Sequence, residues 1–173
     1  MLKINKVRAA NHRINGQFYL RVQKGGFCTI DSDFCSNSGI FAIDNRDCSK
    51  ILVYSTGKLS IGKNVGISST CIACQKAITI NDNVKVGAGC LITDTDHHSM
   101  DYKLRRTGND LEFAKTREIV INQDVFIGAC SIILKGVEIG ERSIIAAGSV
   151  VTSSIPADEL WGGNPARFIK KLK

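Results

Sequence analysis

The sequence predicts an all-β fold, a three-sided prism wound from short parallel strands with three hexads to each coil. Three observations carry this expectation. Ile121, Ile127, Ile133, Ile139, Ile145 and Val151 fall every six residues without a slip. A second block repeats the stride at Ile61 and Ile67 and, after a one-residue slip near Ala73, at Ile80, Val86 and Ile92. Four residues after each leading aliphatic stands a small or β-branched side chain, among them Val65, Cys71, Val84, Cys90, Val125 and Ser131. With 22 Ile and 11 Val in 173 residues, six such residues in register arise by chance only about 5 times in 100,000, so the repeat reports architecture.

Other architectures fail on geometry. A step of six residues turns an α-helix through about 600°, so the leading residues would drift around its surface. A flat sheet would need hairpins or long loops, for which there is no room. A coil with tight corners fits, because Asn64, Asn83, Gly89, Asp124, Gly136 and Gly148 stand just before the small-residue column. Those residue types tolerate a left-handed backbone.

In chain order, residues 1–26 are expected to form an N-terminal cap in which Gln17–Val22 reads as a strand. Residues 27–156 form the prism, with a loop insertion at 93–118. The blocks 61–92 and 119–156 supply roughly four coils, and 27–58, where Ile30–Phe34 is a degenerate hexad, adds one or two. Pro156 closes the pattern. The tail, 157–173, places Phe168, Ile169 and Leu172 at helical spacing, which predicts a short amphipathic cap helix for the solenoid's open end.

Composition narrows the function. The net charge of +7 sits at the ends: residues 1–24 carry +6, Arg167, Lys170, Lys171 and Lys173 add +4, and the body between is −3. A nucleic-acid binder more often carries a basic face with interleaved aromatics, and only 6% of this chain is aromatic, so no nucleic-acid partner is expected. The purely apolar runs fall far short of the roughly 20 residues of a membrane span. Met1–Arg8 has charges scattered through it and does not read as a secretory leader. Seven cysteines, an odd number, point to free thiols in a reducing, cytosolic setting. Cys71 and Cys74 have a redox or zinc spacing without a second such pair, and Cys71 and Cys90 read as buried small residues of the ladder.

Between Ile92 and Ile119 the ladder stops for a largely polar excursion that cannot pack inside the prism. It contains His97 and His98, two of the three histidines. Long loops on rigid scaffolds tend to be functional, although such a pair also occurs simply solvating a surface. Neutral imidazole is the side chain best suited to take a hydroxyl proton near pH 7. Asp94, Asp96 or a backbone carbonyl would then fix its tautomer, and the loop from Lys103 to Lys115 would wall an acceptor pocket.

Over about residues 60–173 the sequence resembles the hexapeptide-repeat acyltransferases. The resemblance rests on the hexads, the interruption with Asp94-Thr-Asp-His-His98, and the ending Trp161-Gly-Gly-Asn-Pro-Ala-Arg167. Within that family it is most similar to the maltose, galactoside and polysaccharide O-acetyltransferases. The resemblance implies a left-handed parallel β-helix, a homotrimer, and acetyl-CoA as co-substrate in clefts between prisms, with no metal required. The first 60 residues lack the helical segment of the maltose and galactoside enzymes, which shifts the expected acceptor toward a saccharide of capsule, lipopolysaccharide or nodulation-factor type.

By position, His98 matches the family's catalytic histidine, with Ser-Met-Asp where Pro-Leu-Asp is usual; His97 is the second candidate and Asp96 the expected orienting carboxylate. Val125-Phe-Ile-Gly-Ala129 matches a Val-Trp-Ile-Gly-Ser stretch, so Phe126, Gly128 and Ala129 are expected on the thioester side. Ala129 lacks the usual hydroxyl and leaves a main-chain N–H as the donor there. Ala147, Thr152 and Arg167 match positions lining pantetheine and nucleotide. Ser153 replaces a usual lysine, so Arg167, Lys170 and Lys171 are the expected phosphate contacts. An N-acyltransferase acting on an amino sugar, or a serine or antibiotic acetyltransferase, would share every donor-side feature. A zinc carbonic anhydrase would need three convergent histidines, and His12 lies outside the readable ladder. A non-catalytic scaffold has no use for the histidine loop.

Overall fold

The leading aliphatics stack on one another along three faces. The computed structural model describes residues 11–38, 48–108 and 110–172, which wind as a left-handed parallel β-helix. Face one carries Arg13–Asn15, Cys35–Asn37, Gly66–Ser68, Lys85–Val86, Phe126–Ile127 and Ile144–Ile145. Face two carries Phe18–Val22, Ser49–Val53, Cys71–Cys74, Leu91–Thr93, Ile132–Ile133 and Val150–Val151. Face three carries Phe27–Ile30, Lys58–Ile61, Ala77–Ile80, Ile119–Ile121 and Glu138–Ile139. Each strand pairs in parallel with the strand three places on, which defines a three-sided coil.

The ladders are those the hexads predict. Ile67, Val86, Ile127 and Ile145 are register partners on face one. Ile51, Ile72, Ile92, Ile133 and Val151 align on face two, and Ile30, Ile61, Ile80, Ile121 and Ile139 on face three. All are buried. Burying each such side chain contributes about 2 kcal/mol, and Phe34, Leu59, Val65, Ile78, Val84, Val125 and Val137 pack beside the ladders in the same core.

The corners explain the remaining columns. Asn64, Asn83, Gly89, Asp124, Gly136 and Gly148 all have positive φ, and so do Cys130 and Arg142, at φ 59° each. The corner therefore imposes the left-handed turn even on residues that resist it by about 1–2 kcal/mol. The one-residue slip resolves into two steps: five residues from Ile67 to Ile72, where Ser69 takes φ 42° and Thr70 fills the buried small-residue position, then eight from Ile72 to Ile80. This corrects the expectation for Cys71. It pairs outward with Lys50 and Leu91 and is exposed, whereas Cys90 is buried as expected. Strand alternation turns Cys74 inward, where burial pushes its thiol up to about 12, so the two cysteines cannot act as a pair.

Both ends depart from the expected caps. Arg13–Asn15 and Phe18–Val22 pair in parallel with Cys35–Asn37 and Ser49–Val53, so the coil begins inside the segment 1–26. The tail forms no helix. Glu159–Gly163 adds to face one beside Ile144–Ile145, and Ala166–Lys171 folds back on it antiparallel. A segment of about six residues gains little from forming an isolated helix, whereas the open strand edge offers it backbone partners. Phe168 meets Trp161 edge-on at 6.4 Å. Arg142 clamps this end with a bidentate contact to Asp158, Nε–Oδ1 2.6 Å and Nη2–Oδ2 2.7 Å.

Adjacent positions on one strand separate ladder from surface. Ile127→Ala should lower stability by about 2–5 kcal/mol in urea unfolding. Phe126→Ala, whose side chain points outward and is 48% exposed, should stay within about 0.5 kcal/mol of the parent.

Candidate active site

Strand Leu91–Thr93 ends at the corner between faces two and three, and face three resumes at Ile119. The excursion between them is an ordered ribbon. Its legs pair antiparallel through Thr95 and Thr116, with Asp96 N–H donating to the Lys115 carbonyl (3.1 Å) and Arg117 N–H to the Asp94 carbonyl (3.0 Å). Asp94 is buried and anchors the ribbon's foot, accepting from the backbone N–H groups of Gln75 and Lys76, both at 2.7 Å. Further out come a helical turn, Tyr102–Arg105, capped by Asp101, and a 3₁₀ turn, Asp110–Phe113. The loop is less polar than its sequence suggests, since Met100, Tyr102, Leu111 and Phe113 are all exposed.

The ribbon separates the two histidines. His97 sits at φ 61° with its Nε2 3.1 Å from Thr93 Oγ1. That hydroxyl also contacts the Thr95 carbonyl at 3.2 Å, so the His97 ring is tied to the ribbon's foot. His98 points the other way. Its Nδ1 lies 3.0 Å from Asp110 Oδ2, which also accepts from Ser99 N–H at 3.2 Å. Asp110 is buried while the His98 side chain is 71% exposed.

Desolvation pushes the Asp110 carboxyl up, but the hydrogen bonds from His98 and the Ser99 amide outweigh it and hold the group below its ordinary value. An ionised carboxylate only accepts, so Nδ1 carries a proton, and in the neutral ring the lone pair is on Nε2. This is the tautomer a general base needs. Asp96, expected to orient the base, instead pairs with Lys135 at 2.5 Å. Asp110 was missed because it lies twelve positions beyond His98, brought back by turns that carry no hexad signal.

The expected donor-side residues occupy more than one edge. Ala129 and Ala147 stack at the corner between faces one and two, where Gly148 N–H donates to the Ala129 carbonyl at 2.8 Å. Gly128 lies in the step to that corner, where a Cβ would fall 2.5 Å from the Ala147 nitrogen. Only glycine fits there. Phe126 projects from face one, and Arg167 and Lys170 are exposed on the terminal hairpin. Thr152 alone shares the loop's edge, exposed two coils beyond Thr93. Face two thus separates His98 from Ala129 and Ala147.

The chain matches the family "Bacterial transferase hexapeptide (six repeats)" over residues 118–153 and "Hexapeptide repeat of succinyl-transferase" over 58–94. It is a hexapeptide-repeat β-helix, the class that its fold and repeat together define.

More particularly, it is similar to acetyltransferases of that class. It is 33% identical to galactoside O-acetyltransferase of Escherichia coli over 115 residues, 66% of this chain and 54% of the relative. It is 34% identical to 2,3,4,5-tetrahydropyridine-2,6-dicarboxylate N-acetyltransferase of Staphylococcus aureus over 93 residues, 54% of this chain and 33% of the relative. A hexapeptide-repeat containing acetyltransferase of Vibrio cholerae, complexed with acetyl coenzyme A, superposes with TM-score 0.52 at 28% identity, covering 94% of this chain and 72% of that one. An N-acyltransferase of Bacillus cereus shares the fold, at TM-score 0.71 and 22% identity over 94% of this chain and 82% of that one. The chain spans from about a third to 65% of the length of the curated relatives it matches. No helix among the described residues is long and apolar enough to cross a membrane.

A depressed carboxyl has a defined pH signature. It stabilises the fold fully above its ordinary value of 3.8 and loses that contribution as pH falls through the lower folded-state value. A ¹³C titration of the Asp110 carboxyl should show a midpoint below 3.8, and His98→Ala should move that midpoint upward.

Proposed function

We propose that the chain is an acetyl-CoA-dependent acetyltransferase that transfers acetyl to a saccharide hydroxyl, with His98 as general base. The observation that carries this reading is the His98–Asp110 pair, which leaves a bare Nε2 on an exposed ring held by a buried carboxylate. The likeness to galactoside O-acetyltransferase supports the acceptor class. The Vibrio cholerae neighbour's acetyl coenzyme A supports the donor.

In this mechanism His98 Nε2 removes the acceptor hydroxyl proton as the oxygen attacks the thioester carbonyl. The tetrahedral oxyanion is met by a main-chain N–H at the Ala129 corner. As the intermediate collapses the C–S bond breaks, and the imidazolium returns its proton to the departing CoA sulfur. Asp110 stays ionised throughout, fixing the ring and stabilising its cationic form. Phe126, Gly128, Ala129 and Ala147 flank the thioester, while Thr152, Arg167 and Lys170 hold the pantetheine and phosphates. An amine acceptor would use the same base, and the similarity to an N-acetyltransferase keeps amino sugars in the test panel.

A homotrimer follows from the same reading. His98 and the Ala129 corner lie on different edges of one prism, so a neighbouring copy supplies the edge each site lacks. Between those edges, face two presents Leu52, Cys71, Leu91, Ile132, Leu134 and Val150 outward, an apolar strip suited to a second copy.

Release of free CoA from acetyl-CoA, measured against a panel of sugars, amino sugars and serine, tests the activity. His98→Ala should lose about 100- to 10,000-fold in turnover with the fold intact, and wild-type turnover in that variant would refute the assignment. Asp110→Asn should also lose turnover, through the wrong tautomer, whereas Asp96→Asn should retain most of it. Light scattering of the pure protein should give three times the 18.8 kDa chain mass, and a fully active monomer would contradict the trimer.

A further inference from the structure

Several cations of the histidine loop form no ion pair with its acids, although residues 94–118 hold six acids against five bases. Asp94 is spent on backbone N–H groups, Asp96 on Lys135, Asp101 on capping the turn at Lys103, Asp110 on His98, and Glu118 on Lys76, while Glu112 is exposed and pairs with none of the loop's cations. Among the described residues, Lys103, Arg105, Arg106, Lys115 and Arg117 have no carboxylate partner. Arg105 is the best placed. Its Nη1 donates to the Ser99 carbonyl at 2.7 Å and the Met100 carbonyl at 3.0 Å, which fixes the guanidinium one residue from His98. The Nε and Nη2 hydrogens remain available, a planar edge of the kind that grips a carboxylate or phosphate in two places. Arg106 lies 5.2 Å over the Tyr102 ring, which steadies a second guanidinium beside the first.

We propose that Arg105 and Arg106 bind an anionic group on the acceptor, so that the substrate is an acidic or phosphorylated saccharide rather than a neutral one. This rests on the acetyltransferase reading above. The fork reads the acceptor's charge while His98, one residue from Arg105's anchor, takes the proton from a neighbouring hydroxyl.

The test uses the full chain, acetyl-CoA and matched acceptors: galactose, galacturonic acid and galactose 1-phosphate. The anionic members should show kcat/KM at least about tenfold above galactose, as hydrogen bonds to a charged group warrant, and the gap should shrink with added salt. Arg106→Gln should raise KM for the anionic acceptors while leaving KM for acetyl-CoA unchanged. Arg105→Lys, which also frees the Ser99 carbonyl, should lower kcat as well.

His98-dependent turnover of galactose equal to that of its anionic partners would overturn this inference and leave the acetyltransferase reading standing. So would a rise in acetyl-CoA KM in Arg106→Gln, which would assign the cation to the donor's phosphates. If no acceptor releases CoA, the acetyltransferase reading fails, and binding decides the anion site: galactose 1-phosphate should shift the arginine Nε–H NMR signals of Arg105 and Arg106 where galactose does not. Unmoved signals would overturn the proposal.

Discussion

Each coil must bring its aliphatic side chains directly above those of the coil before, at the roughly 4.8 Å separation that parallel hydrogen bonding sets. The rest of the molecule follows from that constraint. Three short strands per coil require three sharp corners, and the corners demand left-handed residues such as Asn83, Asp124 and Gly148. Where one coil's backbone presses on the next, no side chain is admitted: a Cβ on Gly87 would fall 2.6 Å from the Ala129 nitrogen, as one on Gly128 would from that of Ala147 at 2.5 Å. Short breaks in the stride are absorbed at the corners, as between Ile67 and Ile72, but a long one leaves the prism. The loop at 94–118 does so, and Ile80 still pairs with Ile121 across it.

Because the scaffold is this rigid, the loop can hold chemistry at a fixed place. Its foot is tied by buried Asp94 and its legs by antiparallel backbone contacts. Only the distal part is free to fold on itself, and there Asp110 meets both the His98 ring and the Ser99 amide. One carboxylate oxygen thus fixes the direction of the backbone and of the side chain it carries. That arrangement selects a tautomer without burying the imidazole, and leaves the other ring nitrogen on the exposed side.

The ladder was legible in the sequence because a coil of constant length turns a sequence period directly into spatial register. Ile61, Val86, Ile127 and Val151 could be placed without knowing any contact. Legibility failed where the period is silent or shared. The five-residue step from Ile67 to Ile72 was read six positions long, which moved Cys71 from surface to core. Phe168, Ile169 and Leu172 fit a helix as well as a strand, and only the open edge of Glu159–Gly163 decides between them. His98 was visible as a histidine where the repeat breaks, but its partner was not. A nearby acid such as Asp96 looks the better candidate by sequence distance, yet Lys135 on the next coil claims it.

Prism geometry also bears on how a site of this kind is completed. A face of about six residues spans roughly 20 Å at strand rise, and face two lies between the edge bearing His98 and the edge bearing Ala129 and Ala147. A general base acts only within about 3 Å of the proton it takes, or through one water. On the proposed mechanism, one chain therefore cannot bring its own base to a thioester held at its own Ala129 corner. A three-fold axis would resolve this with a single contact repeated, the loop edge of each copy facing the Ala129 edge of the next, with the ring closed and all three sites equivalent. The apolar outward strip of face two and the exposed Met100, Tyr102 and Phe113 of the loop then have the same cause, since both belong to surfaces that a second prism would cover.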